Sequence, residues 1–284
     1  MATSDLLVMI VHVIVGKVLS YHFPDLLMLY TPVCMFITHI YCIMLHTSVW
    51  ITVSFTFDRF IAICCGKLKA KYCTVRTAAM VITNVTVFFS LQNMPIYFAH
   101  EPERIINNVP WGCRYRVEFF LSPAGVAFSW LQSILVPWLP LALILLFNCL
   151  TARHILATSG ARRRLRNHNN ENRIDLEMEN RRKSIILLFT ISGSFILLWL
   201  TVSVSYLTSK LTSTTQYKGT FTAPGYIATQ SGHLLMYLSS CINTCIYAAT
   251  QTKFRKELRK VVKSPWTFIM ILIKKCENRP KLLK

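Results

Sequence analysis

The chain has 284 residues, 53% hydrophobic and only 15% charged, with a mean hydropathy of +0.43 and a formal net charge of +19. This is too apolar for an ordinary soluble domain of that length. The positive charge alone would suit nucleic acid, but its clustering between apolar runs has another cause, and no nucleic-acid partner is expected.

The first apolar run covers 6 to about 23 and is broken only by Lys17, whose long side chain can reach an interface. It leads from Met1 without a basic leader, so no cleavable signal is expected. Charge-free runs follow at 26–57, 77–100, 119–152, 184–209 and 219–252. Each exceeds the roughly 20 residues a helix needs to cross a ~30 Å hydrocarbon core. The expectation is an all-α transmembrane helix bundle with six spans and no strands. Residues 1–250 would form the membrane domain, and 251–284 an amphipathic helix with a basic tail. Phe254, Leu258 and Val261 recur at helical spacing among Lys and Arg, which suits an anionic lipid surface.

Segments 61–76, 153–183 and 253–284 hold 24 of the 31 Lys and Arg residues. The positive-inside rule places these segments in the cytoplasm and 24–30, 99–123 and 209–224 outside. The protein is therefore expected to be multi-pass in the plasma membrane. Of ten cysteines, only Cys34 and Cys113 then face the oxidising side. A disulfide between them is predicted, worth about 4 kcal/mol by loop entropy. Cys42, Cys149, Cys241 and Cys245 read as core packing, and Cys276 as a candidate for palmitoylation.

Asp58-Arg59 closes the 26–57 run. An acid–base pair at the boundary of a long apolar helix is costly to place, so it reads as a site. Cys34 precedes Arg59 by 25 positions, about 37 Å of helix. Further on come Phe195 and Trp199, one helical turn apart, then Asn243-Thr244-Cys245-Ile246-Tyr247 and the basic stretch with Phe254.

In order and spacing these motifs resemble the rhodopsin-like (class A) G protein-coupled receptors, from their second helix to their eighth. The stretches 46–59, 107–113 and 179–184 resemble a narrower orphan group, named probable G-protein coupled receptor 139 and 142. That group is associated with aromatic amino acids as ligands and with Gq-type coupling. The resemblance implies a receptor with no catalytic site, carrying a small extracellular ligand's signal to a heterotrimeric G protein. Asp58 would hold Arg59 at rest, and Arg59 would meet the G protein. Phe195, Trp199, Asn243 and Tyr247 would take part in activation. The ligand would contact Tyr41, Cys42 and Leu45, then Gln132 and Ser133, then Trp199, Val202, Ser203 and Tyr206, then His233 and Tyr237. Tyr41 stands where amine receptors carry an aspartate, which argues against a monoamine. An allosteric sodium ion would lie between Asp5, Ser48, Ser239 and Asn243; no other cofactor is expected.

The resemblance also exposes departures. About two more helical turns should precede Asp5, and the family's first helix should precede those. An incomplete gene model or a truncated product is therefore expected, and a non-signalling six-helix isoform is the closest rival function. An ion-coupled transporter is a remote one. Thr201 and Thr244 replace prolines, Asn148 replaces a tyrosine, and Arg181 occupies the place of the acid that often locks Arg59. A weakly held resting state is expected.

Overall fold

Helix α1 (Ala2–Val8) runs on into a π-helical stretch, Met9–Leu19. This computed structural model describes residues 2–19, 22, 30–165, 171–211, 224–250, 255–256 and 259–260. Most of the expected amphipathic helix at 252–262, and Cys276, lie outside the described residues. The chain divides into two compact units, Met1–Asn243 and Thr244–Lys284.

Helix α2 (Thr31–Cys64) is 34 residues long, with Pro32 in its first turn, where a missing N–H leaves no bond unmade. Its hydroxyls do not compete with the helix. Thr38, Thr52, Ser54 and Thr56 each donate to the carbonyl four residues back. In a lipid environment that internal satisfaction is what permits polar side chains along a span. A short helix, α3 (Gly66–Tyr72), follows. Helix α4 (Val75–Gln92) begins at Thr74, whose hydroxyl accepts the Thr77 N–H at 3.2 Å, and ends at Asn93, before a 3-10 turn at Met94–Tyr97.

Four short strands come next: β1 (His100–Glu101), β2 (Arg104–Ile106), β3 (Val109–Trp111) and β4 (Arg114–Tyr115). β1 pairs with β4 and β2 with β3, both antiparallel. The expectation of no strands is corrected here. Strands of two or three residues are too short to show alternation, and the readable signal was the turn. Asn107 and Asn108 have φ of 51° and 60°, the left-handed pair of a two-residue hairpin turn that asparagine tolerates. The Cys34–Cys113 disulfide ties this loop to the head of α2, and Thr31 Oγ1 donates to the Gly112 carbonyl at 2.7 Å.

Helix α5 (Val117–Leu121) leads to α6 (Pro123–Ser133), which passes through a π-helical stretch, Ile134–Trp138, into α7 (Leu139–Leu165). Pro137 lies inside that stretch. The wider turn accommodates a residue that cannot donate a ladder hydrogen bond. Helices α8 (Glu171–Leu211) and α9 (Pro224–Thr250) complete the described elements.

Among the described residues, four helices are long and apolar enough to cross a membrane: Thr31–Cys64, Val75–Tyr97, Pro123–Thr158 and Ile185–Thr208. Ser4–Gly16 is a shorter apolar helix. α9, at 27 residues, has the length and no charge, but Ser, Thr, Gln, Asn and His dilute its apolarity.

α2 is the hub, packing on α7, α4 and α1. Val49, Ile144, Phe195, Trp199 and Met236 form part of the core. Asp5, Ser48, Asn93, Ser203 and Asn243 are buried with them, while Phe36, Phe88, Leu197 and Leu200 face outward. Polar groups inside and large apolar groups outside suit helices that associate in lipid, where there is no hydrophobic drive between them. Cys149, Cys241 and Cys245 correct the core reading given to them, since all three are exposed. A thiol behaves as a small hydrophobe and sits comfortably on a lipid-facing surface.

Candidate functional site

Two cavities lie within the unit formed by residues 1–243, and Leu45 and Trp199 line both. The larger has a volume of about 240 Å³. α2 contributes Thr38, Tyr41, Cys42, Leu45 and His46, a spacing that places all five on one helical face. α6 and its π-helical continuation add Phe128, Ser129, Gln132, Val136 and Pro137. α8 adds Trp199, Val202, Ser203 and Tyr206, and α9 adds His233 and Met236. Ile96, Ala99, His100, Tyr115 and Phe120 close the side nearest the disulfide. Among the described residues, no Asp, Glu, Lys or Arg lines this cavity.

His100 belongs to β1, beyond the span that ends at Tyr97. Burial pushes its imidazole below the ordinary value of 6.5, and the 2.8 Å bond between Nδ1 and the Ile96 carbonyl pulls it only part of the way back. A carbonyl accepts, so Nδ1 carries the proton and Nε2 is left as an acceptor.

The smaller chamber, of about 10 Å³, has room for one water-sized particle. Asp5 is 2% exposed there. It accepts hydrogen bonds from Ser48 Oγ and, at 3.3 Å, from Asn243 Nδ2. Thr52, Ser239 and Ser240 complete the polar side. Phe195 and Trp199 form the apolar side, stacked with centroids 5.1 Å apart. A buried carboxylate among hydroxyls and an amide is an oxygen donor set, the kind a small hard cation takes.

At the far end of α2, Arg59 binds its neighbour Asp58, with Nη2 at 2.6 Å and Nε at 3.0 Å from the same carboxylate oxygen. Each side chain is one-third exposed. The guanidinium lies 5.4 Å from the centre of the Phe55 ring. Cys73 Sγ donates to the Asp58 carbonyl at 3.7 Å, and burial pushes this thiol upward. One helix thus carries a cavity wall, a hydrogen-bond donor to the buried Asp5 and the ion pair.

Residues 1–247 match the family described as 7 transmembrane receptor (rhodopsin family). The chain belongs to this receptor family. A curated relative, the Allatostatin-A receptor of Bombyx mori, is 25% identical over 237 residues, covering 82% of this chain and 60% of that receptor. The chain thus spans about three-fifths of the length of the relative it matches.

Of the residues a rhodopsin-family reading assigned to the ligand, Tyr41, Cys42, Leu45, Gln132, Trp199, Val202, Ser203, Tyr206 and His233 line the larger cavity. Ser133 and Tyr237 are not among its lining residues. Ser133 is buried and donates to the Ser129 carbonyl at 2.9 Å, while the Tyr237 ring lies 5.5 Å from that of His12. His12 in turn stacks on Tyr41 at 3.8 Å. Asp5, Ser48, Ser239 and Asn243 all meet at the small chamber. Tyr247 lies on α9, but its side chain is outside what the structure describes. Sequence reasoning missed His46, His100, Tyr115 and Phe128. For His46 the signal was present, one turn beyond Cys42. The loop residues gave none, because they reach the cavity only through the fold of the hairpins.

Proposed function

We propose that this chain acts as a G protein-coupled receptor for a small ligand bearing an aromatic group, either an aromatic amino acid or the end of a peptide. The observation that carries the reading is the sharing of Leu45 and Trp199 between the two cavities. A ligand that moves Trp199 must also change the wall of the Asp5 chamber. α2 extends from there to Arg59. At about 240 Å³ the cavity falls below the usual range for drug-sized ligands, so it suits an amino acid or one terminal residue rather than a whole peptide.

The basic segments and Arg59 face the cytoplasm in this reading, following the positive-inside rule, and Arg59 meets the G protein there. Gq-type coupling and the aromatic amino acids follow from the resemblance to the orphan group. The peptide alternative follows from the name of the Bombyx mori relative. A sodium ion in the Asp5 chamber would stabilise the resting arrangement by supplying positive charge to the buried carboxylate.

The test is inositol phosphate accumulation in cells expressing the chain, with L-tryptophan, L-phenylalanine and allatostatin-A peptide added separately. A rise with one of them that disappears in Arg59→Ala supports the proposal. Surface-expressed chain with no response to any of the three, or a response untouched by Arg59→Ala, overturns it.

A further inference from the structure

Helix α4 shows more of its surface than the other spans. Among the described residues, 17% of its apolar window is buried, against 33 to 39% for the other three spans. Met80, Val87 and Leu91 are each at least half exposed. Asn84, nine positions from the first residue of α4 and eight from the last, is exposed with them. The spacing runs four, three, four, so the four side chains form one stripe along the helix. A stripe of that spacing is the seam by which two helices interlock at a shallow crossing angle.

Hydroxyls in α4 are satisfied within the helix. Thr86 donates to the Ile82 carbonyl at 2.9 Å, and Ser90 to the Thr86 carbonyl at 2.8 Å. The Asn84 amide forms no hydrogen bond among the described residues. Turning toward its own helix would satisfy it only in part, as Asn93 demonstrates. Asn93 Nδ2 donates to the Phe89 carbonyl at 2.7 Å, but its Oδ1 takes a donor from another helix, Gln132 Nε2 at 2.9 Å. The N–H groups inside a helix are already bonded to its own carbonyls, so an asparagine oxygen finds no donor there. Asn84 lies about 14 Å along the helix from Val75, within the hydrocarbon, where lipid tails offer neither donor nor acceptor.

We infer that the 80–91 face of α4 docks on the same face of a second copy of this chain, with the two Asn84 amides bonded to each other. Copies inserted in one membrane in the same orientation carry their α4 helices parallel. Across a two-fold axis along the membrane normal, equal positions meet at equal depth, so Asn84 faces Asn84. The amide is self-complementary in charge. The positive N–H edge of each copy meets the negative Oδ1 of the other, and two reciprocal bonds satisfy both oxygens. A lone asparagine in such a seam also fixes the register of a parallel helix pair. A different membrane protein would need a polar group of its own at that depth, whereas a second copy necessarily carries one. Met80, Val87 and Leu91 supply the surrounding packing that drives association in lipid. This interface lies on the outer face of α4 and is independent of what the larger cavity binds.

The experiment places the fluorescently labelled full chain in phosphatidylcholine liposomes and follows the monomer–dimer equilibrium by energy transfer as added lipid dilutes the protein. Asn84→Leu removes the amide and puts only an apolar group on a lipid-facing surface; it should weaken the dimer about ten-fold. Asn84→Gln keeps an amide and should restore most of the affinity. Thr83→Leu, one position around the helix, should leave the equilibrium unchanged. Cross-linking in the same liposomes, with copper phenanthroline as the oxidant, gives a second reading. Val87→Cys should link two copies well above the level reached by the native cysteines. Ile82→Cys, also exposed but on the opposite side of the helix, should not. A native chain that stays monomeric at every dilution overturns the inference. So does a dimer unmoved by Asn84→Leu, or cross-linking of Ile82→Cys equal to that of Val87→Cys. Cross-linking of Val87→Cys in cell membranes to a different protein, and not to a second copy, assigns the face to another partner and overturns it as well. If Asn84→Leu fails to insert, the comparison of Val87→Cys with Ile82→Cys decides alone.

Discussion

Asn243 donates from Nδ2 to Asp5 Oδ2 across 3.3 Å, so two helices 238 positions apart meet on one carboxylate. Ser48 Oγ donates to the other oxygen and brings in α2. Where lipid supplies no hydrophobic drive between helices, polar contacts of this kind fix their mutual register. The carboxylate is 2% exposed, so it requires a cation or a proton nearby.

Replacing Asp5 with Asn keeps the shape and the hydrogen-bond capacity and removes the charge. If sodium occupies the chamber, agonist affinity in the native protein should differ about five-fold between sodium chloride and N-methylglucamine chloride. Asp5→Asn should bind equally in both salts. Native affinity that ignores the choice of cation would mean that the chamber takes only water.

Arg59 bonds the residue beside it on the same helix, so this ion pair does not by itself tie α2 to another element. A partly exposed pair contributes roughly 0.5 kcal/mol, or about a two-fold shift in an equilibrium. The native receptor should therefore exchange nucleotide above the mock-transfected level without ligand, and Asp58→Asn should raise that basal rate about two-fold. Arg59→Ala should abolish stimulated exchange while ligand binding persists. Binding of GTPγS to membranes reads all three, and a native basal rate equal to mock would show that the resting state is held elsewhere.

Charge placement made the membrane architecture legible, because a Lys or Arg excluded from lipid marks a boundary wherever it falls. The Asp58-Arg59 ion pair was legible because charge at the boundary of an apolar run is costly, and the Cys34–Cys113 pair because both cysteines fall in or beside the segments poor in Lys and Arg. Asn93 was not. Its partners His46 and Gln132 are 47 and 39 positions away, and nothing local in α4 announces a bridging amide. The hairpins at 100–115 were hidden by the shortness of their strands. The outward thiols of Cys149 and Cys241 were misread because a helix in lipid has no polar face to show which side is out.

The disulfide closes a loop of 79 positions, and the loop-entropy account assigns it about 4 kcal/mol. It also holds the hairpins that bring His100 and Tyr115 to the cavity. Cys34→Ser/Cys113→Ser should lower the melting temperature in detergent and weaken ligand binding together. Loss of stability with unchanged affinity would separate the bond from the cavity.

His100 gives the protein a pH response with a definite sign. In the unfolded chain its imidazole takes a proton near the ordinary 6.5, while burial in the fold delays protonation to lower pH. Between those two values the unfolded state binds more protons. Stability is therefore complete above pH 6.5 and declines as the pH falls toward the folded value. His100 lines the cavity, and protonation converts its Nε2 from an acceptor into a donor, so ligand affinity should decline over the same interval. His100→Gln retains a hydrogen-bonding side chain without a titrating one. It should flatten both curves when melting temperature and affinity are recorded at intervals below pH 6.5. A variant that keeps the full native decline would assign the response to another group.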